Sequence, residues 1–265
     1  VGLVVVMDCG GADYEHLWST VSFRGAAVFD ANVRVAEHGM HSGLVSGIAP
    51  SSFMIARALL DRIENAQTGE MTAEALNVEF RLFVLADERY AETVGEGVFA
   101  DIPWAGGTHA RSSDPFETVV MNTWKPQLCV TGAEGNLRVE SAGNVLRAYT
   151  KLKLSVRLPP TADGARALEW LTETLTAKPM FGCRVTVENA HAEGGWNAPQ
   201  ETSRFKQAVA RQHKTVSART RSIAAVEDRS AFCRSLISSS VRRNTCSQEF
   251  LDRNPTRTAQ RDAET

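Results

Sequence analysis

Apolar and polar positions along this chain fall into segments of two periods. Residues 1–8 are apolar almost throughout, with Val4-Val5-Val6 at their centre, and read as a buried strand. Residues 19–37 alternate around Ala27–Val35 and predict a second strand. Glycines at 39, 43 and 47 then mark a loop that ends at Pro50-Ser51-Ser52, where either serine can cap a helix. Phe53, Ile55, Ala56, Leu59, Leu60 and Ile63 keep helical spacing, so Phe53–Glu64 is predicted as an amphipathic helix. Glu74–Glu88 and Pro115–Thr123 are read as further helices, with loops at Pro103 and Gly106-Gly107. Trp124–Val130 reads as a short strand. Residues 149–158 alternate strictly from Lys151 onward and form the clearest strand, closed by Pro159-Pro160. A second amphipathic helix is predicted over 162–176 from Ala165, Leu168, Leu171 and Leu175, and a last strand over Arg184–Ala190.

Outside an insertion at about 72–130, the order is strand, helix, strand, strand, helix, strand. Two such halves predict an α+β, ferredoxin-like βαββαβ domain with both helices on one face of an antiparallel sheet. An exposed edge strand on that sheet is available to pair with a twin subunit.

Composition narrows the class. The chain has 265 residues, 43% hydrophobic and 23% charged, as in ordinary globular proteins. A net charge of -2 gives no reason to expect nucleic acid or an anionic membrane as partner. No apolar run has the length of a membrane span. The start, Val1-Gly2-Leu3, has neither an initiator Met nor a basic region and reads as an interrupted strand rather than a signal peptide. Five Cys without metal-site or Cys-x-x-Cys spacing read as reduced thiols, so a cytoplasmic location is expected. Charge also divides the chain: residues 1–200 carry 16 Lys+Arg against 24 Asp+Glu, and residues 201–265 carry 13 against 7.

Four residues are candidates for chemistry. Asp8 ends the first apolar strand, and His41 opens His41-Ser42-Gly43. Asn144 opens Asn144-Val145-Leu146, and Arg157 sits in Ser155-Val156-Arg157-Leu158-Pro159. Taken singly, Asp8 reads as a turn residue, His41 as a surface side chain in a glycine-rich loop, and Arg157 as an exposed strand residue. His38 would suggest a His-x-x-His pair with His41, but no Glu and Cys nearby complete a site. No Gly-x-Ser-x-Gly elbow, P-loop or dinucleotide fingerprint is present.

Together with Pro50-Ser51-Ser52, Trp124-Lys125-Pro126 and Ala142–Arg147, these residues resemble the aminoacylase, carnosinase and dipeptidase family of dinuclear zinc metallopeptidases, over about residues 1–199. The resemblance implies three parts. Residues 1–21 would be a remnant of a catalytic domain. Residues 22–199 would be the peptidase dimerisation, or lid, domain, with the insertion at about 72–130 similar to that of the dipeptidase branch. Residues 200–265 would be a basic tail, disordered or frame-shifted. It further implies that Asp8 is a terminal zinc ligand, and that His41 stabilises the oxyanion in a partner subunit's site. Asn144 and Arg157 would hold substrate, Arg157 by a bidentate pair with a terminal carboxylate. The expected substrate is a dipeptide or N-acyl amino acid, the expected cofactor two zinc ions (cobalt or manganese being alternatives), and the expected assembly a homodimer through the lid.

The chain also departs from that pattern. The remaining ligands, a His, a bridging Asp and a Glu-Glu pair, should lie upstream of Asp8 and are not in the chain. One ligand cannot hold a catalytic zinc, so this chain alone is expected to be an inactive fragment. The alternative is a non-catalytic oligomerisation module. After Ala198-Pro199 the expected Gly-Gly-Ser and Asn-Ala-His-Gly segments are missing. Codons for Gln248–Gln260 can be chosen that, read from the third base, encode Ser-Asn-Ala-His-Gly, and the same offset at Val226–Ser230 permits Gly-Gly-Ser. A lost reading frame between about Pro199 and Val216 would account for both. The alternative is a natural basic, disordered tail, whose composition fits disorder.

Overall fold

The computed structural model describes residues 20, 22–73, 76, 91–100 and 102–198. Asp8, the strand expected at 1–8, nearly all of the helix expected at 74–88 and the basic tail lie outside the described residues.

Four strands form the central sheet: β1 (Gly25–Arg34), β2 (Gln127–Glu134), β3 (Tyr149–Leu158) and β4 (Arg184–Glu193). Their spatial order is β2–β3–β1–β4, and every neighbouring pair is antiparallel. Strict alternation dictates which side chains go inward. Ala27, Phe29, Ala31 and Val33 of β1 and Leu152, Leu154, Val156 and Leu158 of β3 are buried on one face. Two helices cover that face. α1 (Ser52–Leu60) contributes Ile55, Ala56 and Leu59, and α3 (Gly164–Thr176) contributes Ala167, Leu171 and Leu175, all to one continuous core. Their starts are local decisions: Ser51 Oγ accepts from the Met54 N–H at 3.4 Å, and Asp163 Oδ1 from the Ala165 and Arg166 N–H groups at 2.9 and 3.2 Å.

The helix stripes differ in detail from those read in the sequence. Phe53 is 52% exposed, and Ala165 is exposed as well, because the core-facing stripes run through Ile55–Leu59 and Ala167–Leu171–Leu175. Between α1 and β2 lies α2 (Pro115–Thr123), begun by Pro115 at its first position and capped by Asp114. Trp124 ends this helix rather than beginning a strand; it is 2% exposed, and β2 starts only at Gln127.

The open face of the sheet is polar. Asp30 is 8% exposed there yet charged, because Lys151 and Lys153 approach it at 3.3 and 3.2 Å and Asn189 donates to it at 2.8 Å. Glu188 extends the network through Lys151 at 3.1 Å. These contacts hold the Asp30 carboxyl below its ordinary range, chiefly through the Asn189 bond, and hold the Lys151 ammonium above its own through Glu188.

Two short ribbons finish the domain. Ser22–Phe23 pairs with Trp196–Asn197, bringing the first and last strands side by side, with the Phe23 and Trp196 rings 5.3 Å apart. Met40–His41 pairs with Val145–Leu146. Among the described residues no helix is long and apolar enough to cross a membrane.

Candidate functional site

The second ribbon brings together two of the four residues singled out in the sequence. His41 stands opposite Val145 in an antiparallel register, and the Ser42 N–H donates to the Asn144 carbonyl at 2.9 Å. The lacing continues away from the tip, where Val35 and Ala36 both donate to the Ala148 carbonyl, at 2.9 and 3.3 Å. His41 and Asn144 are therefore carried on one two-loop structure at the Arg34–Tyr149 end of the sheet. Both side chains are exposed.

The glycines of this region have a steric reason. A Cβ on Gly43 would lie 3.0 Å from His41 Cε1, so the His-Ser-Gly sequence lets the imidazole rest against the following turn. A Cβ on Gly39 would lie 2.7 Å from Val145 Cγ1, so a side chain at position 39 would have to turn the Val145 side chain aside. The two loops also expose apolar side chains: Leu44, Ile48 and Val145 are 76%, 84% and 42% exposed.

Arg157 is elsewhere. It lies near the far end of β3, in register with Ala26 on one side and Gln127 on the other. Its neighbours Val156 and Leu158 are fully buried, so its side chain belongs to the open face, as alternation demands. Arg157 lies eight positions beyond Tyr149 on the same strand, about 26 Å of extended chain. Within one chain His41 and Asn144 thus form one group and Arg157 another. Gln127, opposite Arg157, accepts from Arg111 at 2.6 Å, which places an arginine of the insertion beside that group.

The fourth residue, Asp8, is outside the described residues. Among the described residues no three His, Cys, Asp or Glu side chains are grouped so as to hold a metal ion. One buried polar pair near the His41 loop is not legible in the sequence as part of a site. Ser52 and Thr150 are 1% and 0% exposed, and their hydroxyl oxygens are 2.9 Å apart. A signal was available: Thr150 occupies an inward position in the alternation that continues through Leu152 and Leu154, where a polar residue demands a partner.

No family model and no curated protein matches this sequence. Solved structures do match its fold. Human carnosine dipeptidase 1 is similar over 77% of this chain and 44% of its own, with 18% identity and a TM-score of 0.56. The dipeptidase Dug1p from Saccharomyces cerevisiae is similar over 77% and 43%, with 16% identity and a TM-score of 0.53. An M20 family metallo-carboxypeptidase from Sulfolobus solfataricus, Sso-CP2, is similar over 83% and 56%, with 12% identity and a TM-score of 0.63. This chain therefore spans about half the length of the proteins it resembles. The fold of this chain is one it shares with solved metallopeptidases and dipeptidases, of the family that its sequence motifs resemble.

Proposed function

We propose that this chain carries the ferredoxin-like lid and dimerisation domain of a zinc-dependent metallopeptidase or amidohydrolase acting on dipeptides or N-acyl amino acids. The observation that carries the reading is the division of the candidate residues. His41 and Asn144 are laced together at one end of the sheet, and Arg157 stands about 26 Å along β3 from that end. A dipeptide is far shorter than that. One lid cannot present all three side chains to one substrate, whereas two lids in a dimer can each supply one group. The strand order β2–β3–β1–β4, with two helices on one face, supports the lid assignment. The exposed apolar side chains of the loops that carry His41 and Asn144 are what a partner subunit would cover.

The roles follow from chemistry. His41 donates a hydrogen bond to the oxygen that becomes negative when the scissile carbonyl is attacked. Asn144, on the same structure, offers an amide to the substrate backbone. Arg157 pairs with the substrate carboxylate through two parallel N–H bonds. The described residues supply no metal-ligand set, and Asp8 lies outside them, so these three roles are all that is assigned to the chain.

A non-catalytic oligomerisation module is the second reading, favoured by the exposed β2 edge, where Val130 is 49% exposed. Zinc content and dipeptide hydrolysis of the purified chain separate the two. We expect a dimer by light scattering, with negligible zinc and negligible hydrolysis, because no metal-ligand group stands among the described residues. Stoichiometric zinc with turnover would show that the chain is a working enzyme in itself. A monomer at high concentration would overturn the lid assignment.

A further inference from the structure

We propose that Ser52 and Thr150 are the positioning residues of the His41–Asn144 pair. The inference rests on the reading of those two residues as substrate-facing groups.

The His41 loop leaves β1 after Arg34 and enters α1 at Ser52. Its front is tied to residues 144–148 by the backbone bonds already described. Its rear is tied to the same segment through side chains alone. Ser52 Oγ lies 2.9 Å from Thr150 Oγ1 and 3.4 Å from the Arg147 carbonyl. A relay in which Thr150 donates to Ser52, and Ser52 to that carbonyl, satisfies both hydroxyls. Both residues are essentially inaccessible to water, at 1% and 0% exposure, so no solvent molecule replaces a lost partner. Arg147 is held in turn, its Nε donating to the Gly135 carbonyl at 2.6 Å.

The loop is therefore closed at both ends onto one segment, residues 144–150, and that segment carries Asn144. Neither Ser52 nor Thr150 reaches solvent, so neither touches substrate. What they set is where His41 and Asn144 stand relative to the sheet. The tip has little else to fix it: none of the residues of the Ser42–Val45 turn is buried. A hydroxyl pair also specifies one arrangement more sharply than apolar packing would, because a slipped loop leaves two buried groups unpaired.

The test is nuclear magnetic resonance on the full chain, reading the His41 imidazole Cε1–H signal and the exchange rate of the Ser42 amide. Thr150→Val should shift the imidazole signal and speed Ser42 exchange about tenfold, and Thr150→Ser should behave as the parent. Leu175→Ala, a core truncation on α3, should lower the melting temperature while leaving both probes in place. If Thr150→Val does not fold, Ser52→Ala gives the same readout with one hydroxyl removed. The proposal is overturned if either hydroxyl-deleting variant leaves both probes unmoved, or if Leu175→Ala moves them equally. The catalytic reading is tested separately, by activity of His41→Ala in an enzyme that contains the whole metal site. Its failure would leave the two spectroscopic results standing.

Discussion

Asn189 Nδ2 donates to Asp30 Oδ2 at 2.8 Å across the one irregularity in the β1–β4 pairing. Val28 stands opposite His191 and Asp30 opposite Glu188, so β4 carries an extra residue there. Asn189 absorbs it with a φ of 50°, in the left-handed region that asparagine tolerates better than most residues. Asp30 thus pins the register of an edge strand as well as pairing with two lysines.

The first prediction concerns pH. The Asp30 and Glu188 carboxyls are held low in the folded state. Their stabilisation is complete above the unfolded carboxylate range, near pH ~4, and fades as pH falls through the lower folded values. Lys151 is held high. Its contribution is complete below about pH 10 and fades as pH rises through the folded value. Chemical denaturation of the chain across pH should show a plateau between these limits, with an acid limb that Asp30→Asn flattens. An unchanged acid limb in that variant would count against the network.

The core prediction is simpler. Phe29 and Leu175 are fully buried, one on β1, a central strand, and one on α3. Phe29→Ala should cost about 3–5 kcal/mol and Leu175→Ala about 2–5 kcal/mol, from lost burial and the cavity left behind. Urea unfolding monitored by circular dichroism measures both.

Arg62 closes α3 from outside. Its guanidinium donates to the carbonyls of Thr174, Ala177 and Lys178 at 3.1, 2.5 and 3.2 Å, three acceptors at the helix end. Arg62→Ala should destabilise by about 1 kcal/mol. Arg62→Lys should recover only part of this, since an ammonium lacks the planar fork. Full recovery by lysine would mean that charge alone matters there.

The glycines give a paired prediction. A Cβ on Gly195 would lie 2.4 Å from Pro160 Cα and 2.6 Å from the Phe23 carbonyl oxygen, backbone that has no free end to swing away. Gly195→Ala should therefore cost about 1–3 kcal/mol and alter Trp196 fluorescence. Gly107 has nothing within 4 Å of such a carbon. Gly107→Ala should be neutral or slightly stabilising.

Much of the scaffold was legible because local rules agree with the global fold. β3 could be read at both ends, since alternation runs from Lys151 and Pro159 stops it. α2 could be read likewise, since Asp114-Pro115 is both cap and first turn. Phe53 and Ala165 misled for one reason: at helix starts several apolar phases fit, and only packing against the sheet selects one. Trp124 misled because an aromatic favours strands, whereas here it closes a helix and is buried. In the candidate site, His41, Asn144 and Arg157 could be singled out from their motifs. Their grouping could not, because the ladder joining residues 40–41 to 145–146 is too short to leave a periodic trace. Ser52 was legible only as a cap candidate; its partner Thr150 is distant in sequence.

The Ser22–Phe23 and Trp196–Asn197 ribbon has one more consequence. Paired strands lie roughly 5 Å apart, so Ser22 and Asn197, 175 positions apart in the sequence, stand side by side in space. We expect a segment cut at that ribbon to be graftable into a surface turn of an unrelated host, whose backbone would be parted by no more than the width of a hairpin.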